Sequence, residues 1–443
     1  MGTRKNRQCT KAFLISEAAP QVDHTEAKAA PESLPQDLAE LFPNMVTGRD
    51  YIENCLQEVE SQHAFGALAV KVDGLDAPPG ENNQDDLIRK LKSVARVLEQ
   101  TCTGHDLTWG LLEHGIFAVC LPEAGEMECR DTGRAIQAAV KDQGHVTATV
   151  GTAVFPTADF QRAEIFDNIL KALDHAEFFG PDVLVAFDAV SLNISGDKLY
   201  HEKDVKGAIR EFERALLVDS GDVNVHNSLG VCFAVFGDFH KALDRFDMAA
   251  QLDPAEIMPV YNAGVSYLML GDREKALEFF FRAGKVEPDL YELLLETGKL
   301  LLVMDRTEEA FSYLEKATKA SPESWSSHKY LGDCHMVMGR TAEAAKAYAK
   351  AVKCNPEEAE SLSALAIAYS KMGENLDIAL SFAAQSVERA PNNGLYQFRM
   401  ASILEQRGEL PKAARQYEKA LELGYPCREF VIKAKEKLKQ VQA

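Results

Sequence analysis

The stretch Val223–Pro254, VNVHNSLGVCFAVFGDFHKALDRFDMAAQLDP, decides how most of this 443-residue chain folds. Apolar residues at helical spacing predict two short amphipathic helices joined by a turn. Leu229 and Phe233 lie one turn apart on the first helix, and Ala242 and Phe246 share a stripe on the second. Neither helix can bury its apolar face alone, so the unit requires neighbours of the same kind.

The same pattern of small and large residues returns at a constant interval along the chain. Further copies carry the first-helix glycine at Gly264, Gly298 and Gly332, and a proline follows each second helix. Small residues let the helices approach, a large residue fills the gap between them, and proline stands where the second helix must end. Four consecutive copies at this interval resemble the tetratricopeptide repeat. The resemblance implies a stack of helix pairs that binds other proteins.

The charge of the chain is negative and unevenly distributed. There are 48 lysine and arginine residues against 68 aspartate and glutamate residues, a formal net charge of −20. Residues 1–188 hold 16 of the basic and 30 of the acidic residues, so this part is the more acidic one. An acidic surface has no basic stripe to release counterions from a phosphate backbone, so nucleic acid is not an expected partner. The length predicts two or three domains, or one domain joined to a repeat array.

Cysteine usage and apolar runs indicate the compartment. Nine cysteines are scattered from Cys9 to Cys427 without metal-ligand spacing, which predicts free thiols in a reducing compartment. The basic start is followed only by Phe13, Leu14 and Ile15, which is too short for a signal-peptide core. No apolar run elsewhere reaches membrane-spanning length. We expect a soluble, cytoplasmic protein with no membrane partner, no metal and no cofactor.

The part of the chain before the repeats predicts a tail and one α/β domain. Residues 1–42 are rich in Ala, Glu, Gln, Ser and Pro without sustained periodicity, which predicts a mobile tail. Residues 43–188 begin with an amphipathic helix and continue in the predicted order β, α, hairpin, α, β, α, β. The first of these strands, 65–73, is mostly apolar, as a central strand is. This order predicts a ferredoxin-like α/β sandwich with one extra terminal element.

Several segments of residues 43–188 resemble the GGDEF family, whose active members are bacterial diguanylate cyclases that make cyclic di-GMP from two GTP. FPNMVTGRDYIENCL (42–56) is similar to the family's entry segment, and HGIFAVCLPEAG (114–125) to its signature hairpin. VTATVGTAVFPTADF (146–160) and ILKALDHAEFFG (169–180) are similar to its fourth strand and final helix. The resemblance implies a GGDEF-type domain.

The resemblance fails at the residues that carry the family's chemistry. The signature reads Glu113, His114, Gly115, Ile116 and Phe117 in place of GGDEF. Its paired glycines are missing, and Gly115 and Ile116 stand where the resemblance implies the two acidic residues for metal binding and catalysis. His114 is open to two interpretations, a catalytic histidine or an exposed turn residue at a decayed site. We expect no catalytic residue in this hairpin.

Two further positions carry the opposite charge. Lys71 stands where the resemblance implies a metal-binding aspartate, and Glu177 where it implies a phosphate-contacting lysine. A lysine there turns attraction for Mg²⁺ into repulsion, a change on the order of several kcal/mol at an effective dielectric near 20. A register slip of two residues would bring Asp73 into the metal position, but two-metal chemistry needs more than one carboxylate. Lys71 and Glu177 could instead form an ion pair across the former site.

The inhibitory product-binding motif of the family, Arg-x-x-Asp, is also incomplete. It reads Thr103, Gly104, His105, Asp106 in this chain. The arginine that would bind a phosphate with two parallel hydrogen bonds is absent. The sequence therefore does not predict this site.

Residues 189–427 predict seven tetratricopeptide repeats, and residues 428–443 predict a capping helix. The resemblance implies a groove lined by the first helix of each repeat. By repeat position, eight residues are expected in this groove: Asn227, Tyr261, Val265, Leu268, Lys299, Leu302, Lys329 and Met336. Each is equally open to interpretation as an ordinary packing or surface residue. Lys299 and Lys329 favour an acidic or phosphorylated partner segment.

Three functions follow from these patterns. The first is a scaffold that binds proteins through the groove, with a non-catalytic GGDEF-like domain for docking, homodimer formation or regulation. The second is a receptor whose GGDEF-like domain still binds cyclic di-GMP or a guanine nucleotide. The third, an active diguanylate cyclase, is opposed by the missing acidic residues. We predict the first function and therefore a protein that is not an enzyme.

Overall fold

The computed structural model describes residues 36–43, 45–75, 83–103, 107–113, 115–144, 146–373 and 375–442. They form two compact units that divide at Asn262/Ala263, inside one helix. The first unit contains a β-sheet domain followed by helix pairs, and the described part of the second consists of helices and turns. The sequence places a domain boundary at 188/189 instead.

Six strands of the described residues form one sheet: β1 Val46–Thr47, β2 Phe65–Val72, β3 Thr108–Glu113, β4 Ile116–Pro122, β5 Ala148–Phe155 and β6 Leu184–Ala186. Their order across the sheet is β1-β3-β4-β2-β5-β6. The three central pairings, β3 with β4, β4 with β2 and β2 with β5, are antiparallel. The two outer pairings, β1 with β3 and β5 with β6, are parallel. The sheet is therefore mixed, and β2 lies in its interior.

Helices cover both faces of this sheet: α1 Gln36–Leu41, α2 Gly48–Glu58, α3 Asn83–Cys102, α4 Glu126–Asp142 and α5 Ile165–Glu177. Alternate residues of a strand point to opposite faces. In β2, Leu68 and Val70 therefore pack with α3 and α4, whereas Phe65 and Ala67 pack with α2 and α5. Burial on both faces explains why this strand is apolar without alternation.

Two features of the domain differ from the sequence prediction. The prediction omitted β1, because a strand of two residues cannot show an alternation of apolar and polar residues. The predicted mobile tail, 1–42, is corrected at its end, because Gln36–Leu41 form α1 and Leu38 is fully buried in the core beside α3. Residues 1–35 of that predicted tail lie outside the described residues.

The rest of the described chain is helical. Fifteen helices follow the sheet: α6 Ala189–His201, α7 Val205–Val218, α8 Val223–Val235, α9 Phe239–Leu252, α10 Ile257–Met269, α11 Arg273–Val286, α12 Tyr291–Val303, α13 Thr307–Ala320, α14 Trp325–Val337, α15 Thr341–Cys354, α16 Ala359–Met372, α17 Leu376–Arg389, α18 Gly394–Gln406, α19 Leu410–Glu422 and α20 Arg428–Gln442. They form seven consecutive pairs and a last helix. Pro254, Pro288 and Pro322 each follow closely after the end of a second helix, as predicted.

A glycine in the first helix and a large side chain in the second hold five of these pairs together. A Cβ atom built on the glycine would lie 2.4–2.6 Å from that side chain. The separation of the partners along the chain is the same in every case: Gly196 with Phe212, Gly230 with Phe246, Gly264 with Phe280, Gly298 with Leu314, and Gly332 with Tyr348. Only glycine permits this approach of the first helix. The constant interval of the sequence pattern therefore records one repeated packing contact.

The sheet domain and the first helix pair share a core within the first unit. Phe160, which follows β5, is buried in one apolar cluster with Leu192 of α6 and Phe212 of α7. Arg214 of α7 lies over the Phe160 ring at 3.9 Å and forms an ion pair with Glu164 at 2.6 Å. This joint core explains why no division of the compact units falls at 188/189.

The described residues contain no helix that is both long and apolar enough to cross a membrane. Their eight cysteines are free thiols, and seven of them are buried. The thiols are therefore packing residues in this part of the chain.

Candidate functional site: the hairpin of the sheet domain and the first-helix face

The tip of the β3–β4 hairpin holds the degenerate signature. Glu113 pairs with Ile116 across the tip and is exposed, while His114 lies outside the described residues. Gly115 has a φ of +76°, a left-handed conformation that glycine adopts without steric cost. Ile116 packs against the apolar cluster under α2 and α5, and Phe117 is fully buried on the other face. The predicted hairpin is present, and its described tip carries one carboxylate.

Lys71 and Glu177 form the ion pair that the sequence suggested. Lys71 lies directly opposite Ile116 in the pairing of β2 with β4. Its Nζ is 2.7 Å from Oε1 of Glu177 at the end of α5. The Lys71 side chain is 20% exposed and that of Glu177 46% exposed, so solvent screens the pair. We expect it to contribute no more than about 1 kcal/mol to stability.

Asp73, the alternative metal-binding candidate, is held by hydrogen bonds. Its carboxylate accepts one from the hydroxyl of Thr147 and one from that of Thr149, each at 2.7 Å. The backbone N–H of Asp182 donates a third at 3.0 Å. The side chain thus ties the end of β2 to β5 and to the loop before β6. Among the described residues, no group of three or more His, Cys, Asp or Glu side chains could hold a metal ion.

Thr103 is the one residue of the incomplete inhibitory motif that lies among the described residues. The Thr103 hydroxyl donates a hydrogen bond to the backbone oxygen of Glu99 at 2.6 Å, closing the end of α3. Gly104, His105 and Asp106 lie outside the described residues.

The structure divides the eight predicted groove residues into two classes. Asn227, Tyr261, Val265 and Lys329 are at most 5% exposed. The other four are half-buried and remain accessible: Leu268, Lys299, Leu302 and Met336. We use the name first-helix face for the accessible surface of the second unit that carries Leu268, Lys299, Leu302, Asp333 and Met336.

Asn227 and Tyr261 are corrected from groove residues to packing residues. Asn227 is 3% exposed, and its side-chain oxygen accepts a hydrogen bond from Asn262 at 2.9 Å. Tyr261 is 1% exposed, so it cannot serve as an exposed aromatic anchor. Val265, one helical turn further on, is also 1% exposed. The Asn262–Asn227 hydrogen bond joins α8 and α10, the first helices of two successive repeats, at this stripe of residues.

The buried side chain of Lys329 is paired with two partly exposed carboxylates, one on α14 and one on α16. Its Nζ is 2.7 Å from Glu360 and 3.2 Å from Asp333, and its side chain is only 6% exposed. Burial works to lower the pKa of Lys329, but the Asp333 and Glu360 carboxylates outweigh it and raise that pKa. Tyr348 donates a hydrogen bond to Asp333 at 2.6 Å. The charge of Lys329 is therefore neutralised inside the protein.

Lys299 is also paired. Its Nζ lies 2.8 Å from Oε1 of Glu296, one turn away on α12, and 5.4 Å from the centre of the Tyr330 ring. Lys329 lies over the same ring at 4.1 Å. The predicted preference for an acidic or phosphorylated partner rested on two free cations, and both lysines already have carboxylate partners.

The sequence interpretation missed Asp333, Glu360 and Tyr330. Asp333 occupies the position of Lys299 in the next repeat and stands one helical turn after Lys329, so the repeat register and the i,i+4 spacing could have placed it on the same face. Glu360 belongs to the following repeat, and its contact with Lys329 has no local signal. Of these three residues, the repeat spacing could therefore have predicted only Asp333.

The comparison with family models agrees with the helix pairs. The model described as "Tetratricopeptide repeat" matches residues 197–257 and 295–359. The tetratricopeptide prediction is confirmed there, whereas the GGDEF resemblance of residues 43–188 stays a prediction. No match was found among curated proteins.

Three solved structures are similar to this chain. YrrB, described as a TPR protein with an unusual peptide-binding site, is 19% identical, with 42% of this chain and 95% of that chain covered and a TM-score of 0.38. PilF of Pseudomonas aeruginosa is 19% identical, with coverages of 47% and 95% and a TM-score of 0.44. A tetratricopeptide repeat protein of Parabacteroides merdae is 18% identical, with coverages of 56% and 96% and a TM-score of 0.42.

Proposed function

We propose that this protein is a non-catalytic scaffold that binds a segment of another protein along the first-helix face. One observation carries the proposal. Leu268, Leu302 and Met336 occupy the same position in three successive repeats, and all three are half-buried side chains that remain accessible. Accessible apolar side chains on a packed framework are what a bound segment buries. The tetratricopeptide match supports the proposal, because the resemblance implies peptide or helix binding.

The charges of the face favour an apolar contact in the proposed complex. An acidic or phosphorylated segment would have to displace Glu296 from Lys299 or Glu360 from Lys329. Separating Lys329 from its partners would leave a buried charge unpaired, which is costly. We therefore propose an amphipathic segment whose apolar side chains contact the row of Leu268, Leu302 and Met336.

Replacing Leu302 and Met336 together by aspartate is expected to reduce partner recovery at least about tenfold, because two carboxylates would enter the apolar contact. The measurement is capture from cell extract with the full chain, quantified by mass spectrometry. Val286→Asp is the matched control, since Val286 is an apolar residue of α11 that is 46% exposed. Equal recovery of the same proteins by the double variant, the control and the wild type would contradict the proposal.

For residues 43–188 we propose a GGDEF-like domain of the ferredoxin-like type that serves docking, homodimer formation or regulation. The order β3-β4-β2-β5 of the central strands supports this proposal, because it is the order expected of the split β-α-β unit. Absence of catalysis is supported by Lys71, which lies opposite Ile116 where the resemblance implies acidic residues. Light scattering of the full chain tests the homodimer.

The purified protein is expected not to convert GTP to cyclic di-GMP with Mg²⁺ or Mn²⁺. Lys71, Gly115 and Ile116 leave two metal ions without the carboxylates that phosphoryl transfer requires. Chromatographic analysis of the reaction mixture measures this, and calorimetric titration with GTP and cyclic di-GMP tests the receptor alternative. Metal-dependent product that disappears in Asp73→Ala would identify an enzyme. Saturable heat without product would identify a receptor.

A further inference from the structure

A cavity of about 530 Å³ lies between the last helix of the sheet domain, α5, and the first helix of the repeats, α6. Both helices belong to the first compact unit. Its walls combine apolar side chains with carboxylates, among them Phe178, Ile194 and Asp197. Pockets that bind small ligands usually measure about 300–1,000 Å³ and have such mixed linings. None of the cavity's lining residues belongs to the first-helix face.

Two of the three carboxylates in the cavity already have partners. Glu177 is paired with Lys71 at 2.7 Å, and Asp174 is paired with Lys198 at 3.4 Å. Asp197 differs, because no cation or hydrogen-bond donor of the described residues lies within bonding distance of its carboxylate. Burial raises the pKa of Asp197 to about 7. The cavity thus contains one partly buried carboxylate that lacks a counter-charge.

An aromatic ring and an aliphatic side chain accompany this carboxylate. Phe178 lines the cavity and is 60% exposed, so its ring is accessible to a ligand. The face of an aromatic ring attracts cations, most strongly where water is partly excluded. Ile194 is 8% exposed and offers an apolar wall to a hydrocarbon stem.

We propose that this cavity binds an organic cation, a guanidinium or ammonium group carried on an apolar stem. The cation pairs with Asp197 and contacts the Phe178 ring, while the stem packs on Ile194. A charge-assisted hydrogen bond to a carboxylate in a partly dry site is among the stronger polar contacts. An anion would meet three carboxylates, those of Asp174, Glu177 and Asp197, against Lys198 and His201 in the same lining. An uncharged ligand would leave Asp197 unpaired.

The affinity of the cavity for the cation should depend on whether the Asp197 carboxyl group is protonated. A cation beside the carboxylate favours its ionised form, so affinity should fall when the pH decreases from about 8 to about 5.5. The other titratable groups around the carboxylate are Asp174 and Glu177 from α5, Lys198 and His201 from α6, and Cys232 from α8. If the affinity of the Asp197→Asn variant still changes with pH, that change comes from these other groups.

Calorimetric titration of the full chain with butylguanidinium tests the proposal, with butylurea as the neutral ligand of the same shape. We expect saturable binding of butylguanidinium at about pH 8, at least about tenfold weaker binding of butylurea, and an about tenfold loss in Asp197→Asn. Asp244→Asn is the matched control, because Asp244 is an exposed aspartate of α9 outside the cavity. Phe178→Leu should weaken binding severalfold while leaving the carboxylate in place.

Titration with a second ligand shows whether the cation belongs to a protein segment or to a free small molecule. A heptapeptide with one arginine among glycines should bind at least as well as butylguanidinium if the cation belongs to a protein segment, and not at all if the cavity admits only a free amine or guanidine. Thermal unfolding confirms that each variant is folded. Equal affinity for butylguanidinium and butylurea, an unchanged affinity in Asp197→Asn, or no binding up to about 10 mM would overturn the proposal.

Discussion

Replacing Lys329 with methionine is expected to lower the free energy of unfolding by about 3 kcal/mol. Methionine fills a similar volume, but it leaves Asp333 and Glu360 without the cation that neutralises them. Burial already raises the pKa of Asp333, and Lys329 opposes that rise. Losing Lys329 should therefore raise the pKa of Asp333 further. The destabilisation should be full at pH 8 and shrink toward pH 5, where Asp333 can bind a proton.

Urea unfolding of the full chain at several pH values measures this effect. Lys299→Met is the matched control, because Lys299 is 28% exposed and forms its ion pair with Glu296 on its own helix. We expect the control to lose no more than about 1 kcal/mol. Equal stability of the two variants would mean that the ion pairs of Lys329 do not hold α14 to α16. The result also decides whether Lys329 can be altered in a binding experiment without damaging the fold.

A second large effect is expected for Gly264→Leu in the third helix pair. A Cβ atom at Gly264 would lie 2.6 Å from Cε1 of Phe280 and 3.3 Å from the backbone oxygen of Ala276. Leucine adds three more carbons, so the two helices must separate or Phe280 must leave its position. We expect a loss of about 3 kcal/mol, the upper end for overpacking, because part of the obstacle is backbone.

Gly284→Ala is the control for the same helix pair. Gly284 lies on α11, and the nearest atom to its added Cβ is 3.7 Å away on Leu293. Alanine should fit there and stabilise the helix by up to about 1 kcal/mol through its higher helix propensity. The comparison uses the melting temperatures of the two variants. An unchanged melting curve for Gly264→Leu would invalidate the repeat register derived from the sequence.

The repeat region could be predicted closely because five of its seven helix pairs share the same local contact. Gly230 and Phe246 are close in sequence, and the spacing between them directly reflects their contact. The second helices end just before their prolines for an equally local reason. Where structure depends on such short-range signals, sequence periodicity is sufficient.

Accessibility along the repeats could not be predicted in the same way. Tyr261 and Leu268 belong to the same helix and both were assigned to the groove, yet only Leu268 remains accessible. The register of a single repeat does not distinguish a buried position of the first helix from an accessible one. Lys329 is a similar case, because its partner Glu360 lies on a helix of the following repeat. Lysines identified from the sequence therefore overestimated the number of unpaired cations at the surface.

The sequence predicted the strands of the sheet domain in their order along the chain, except for β1 at one edge of the sheet. Strand β2 has a continuous apolar run that indicates its interior position. Strand β1 is very short and is recognisable only by its pairing with Gly110 and Leu111 of β3. Asp73 shows the same limit, because its role depends on hydroxyls of Thr147 and Thr149 that are distant in the sequence.

Site-specific photo-crosslinking in cells can detect a partner segment bound along the first-helix face. A benzophenone side chain is placed at Met336 on the face, at Val286 on α11, and at Glu113 in the sheet domain, one position per protein. We expect a discrete crosslinked partner at Met336, which competing wild-type protein suppresses, and no such adduct at Val286 or Glu113. Adducts at Val286 or Glu113 without one at Met336 would contradict it.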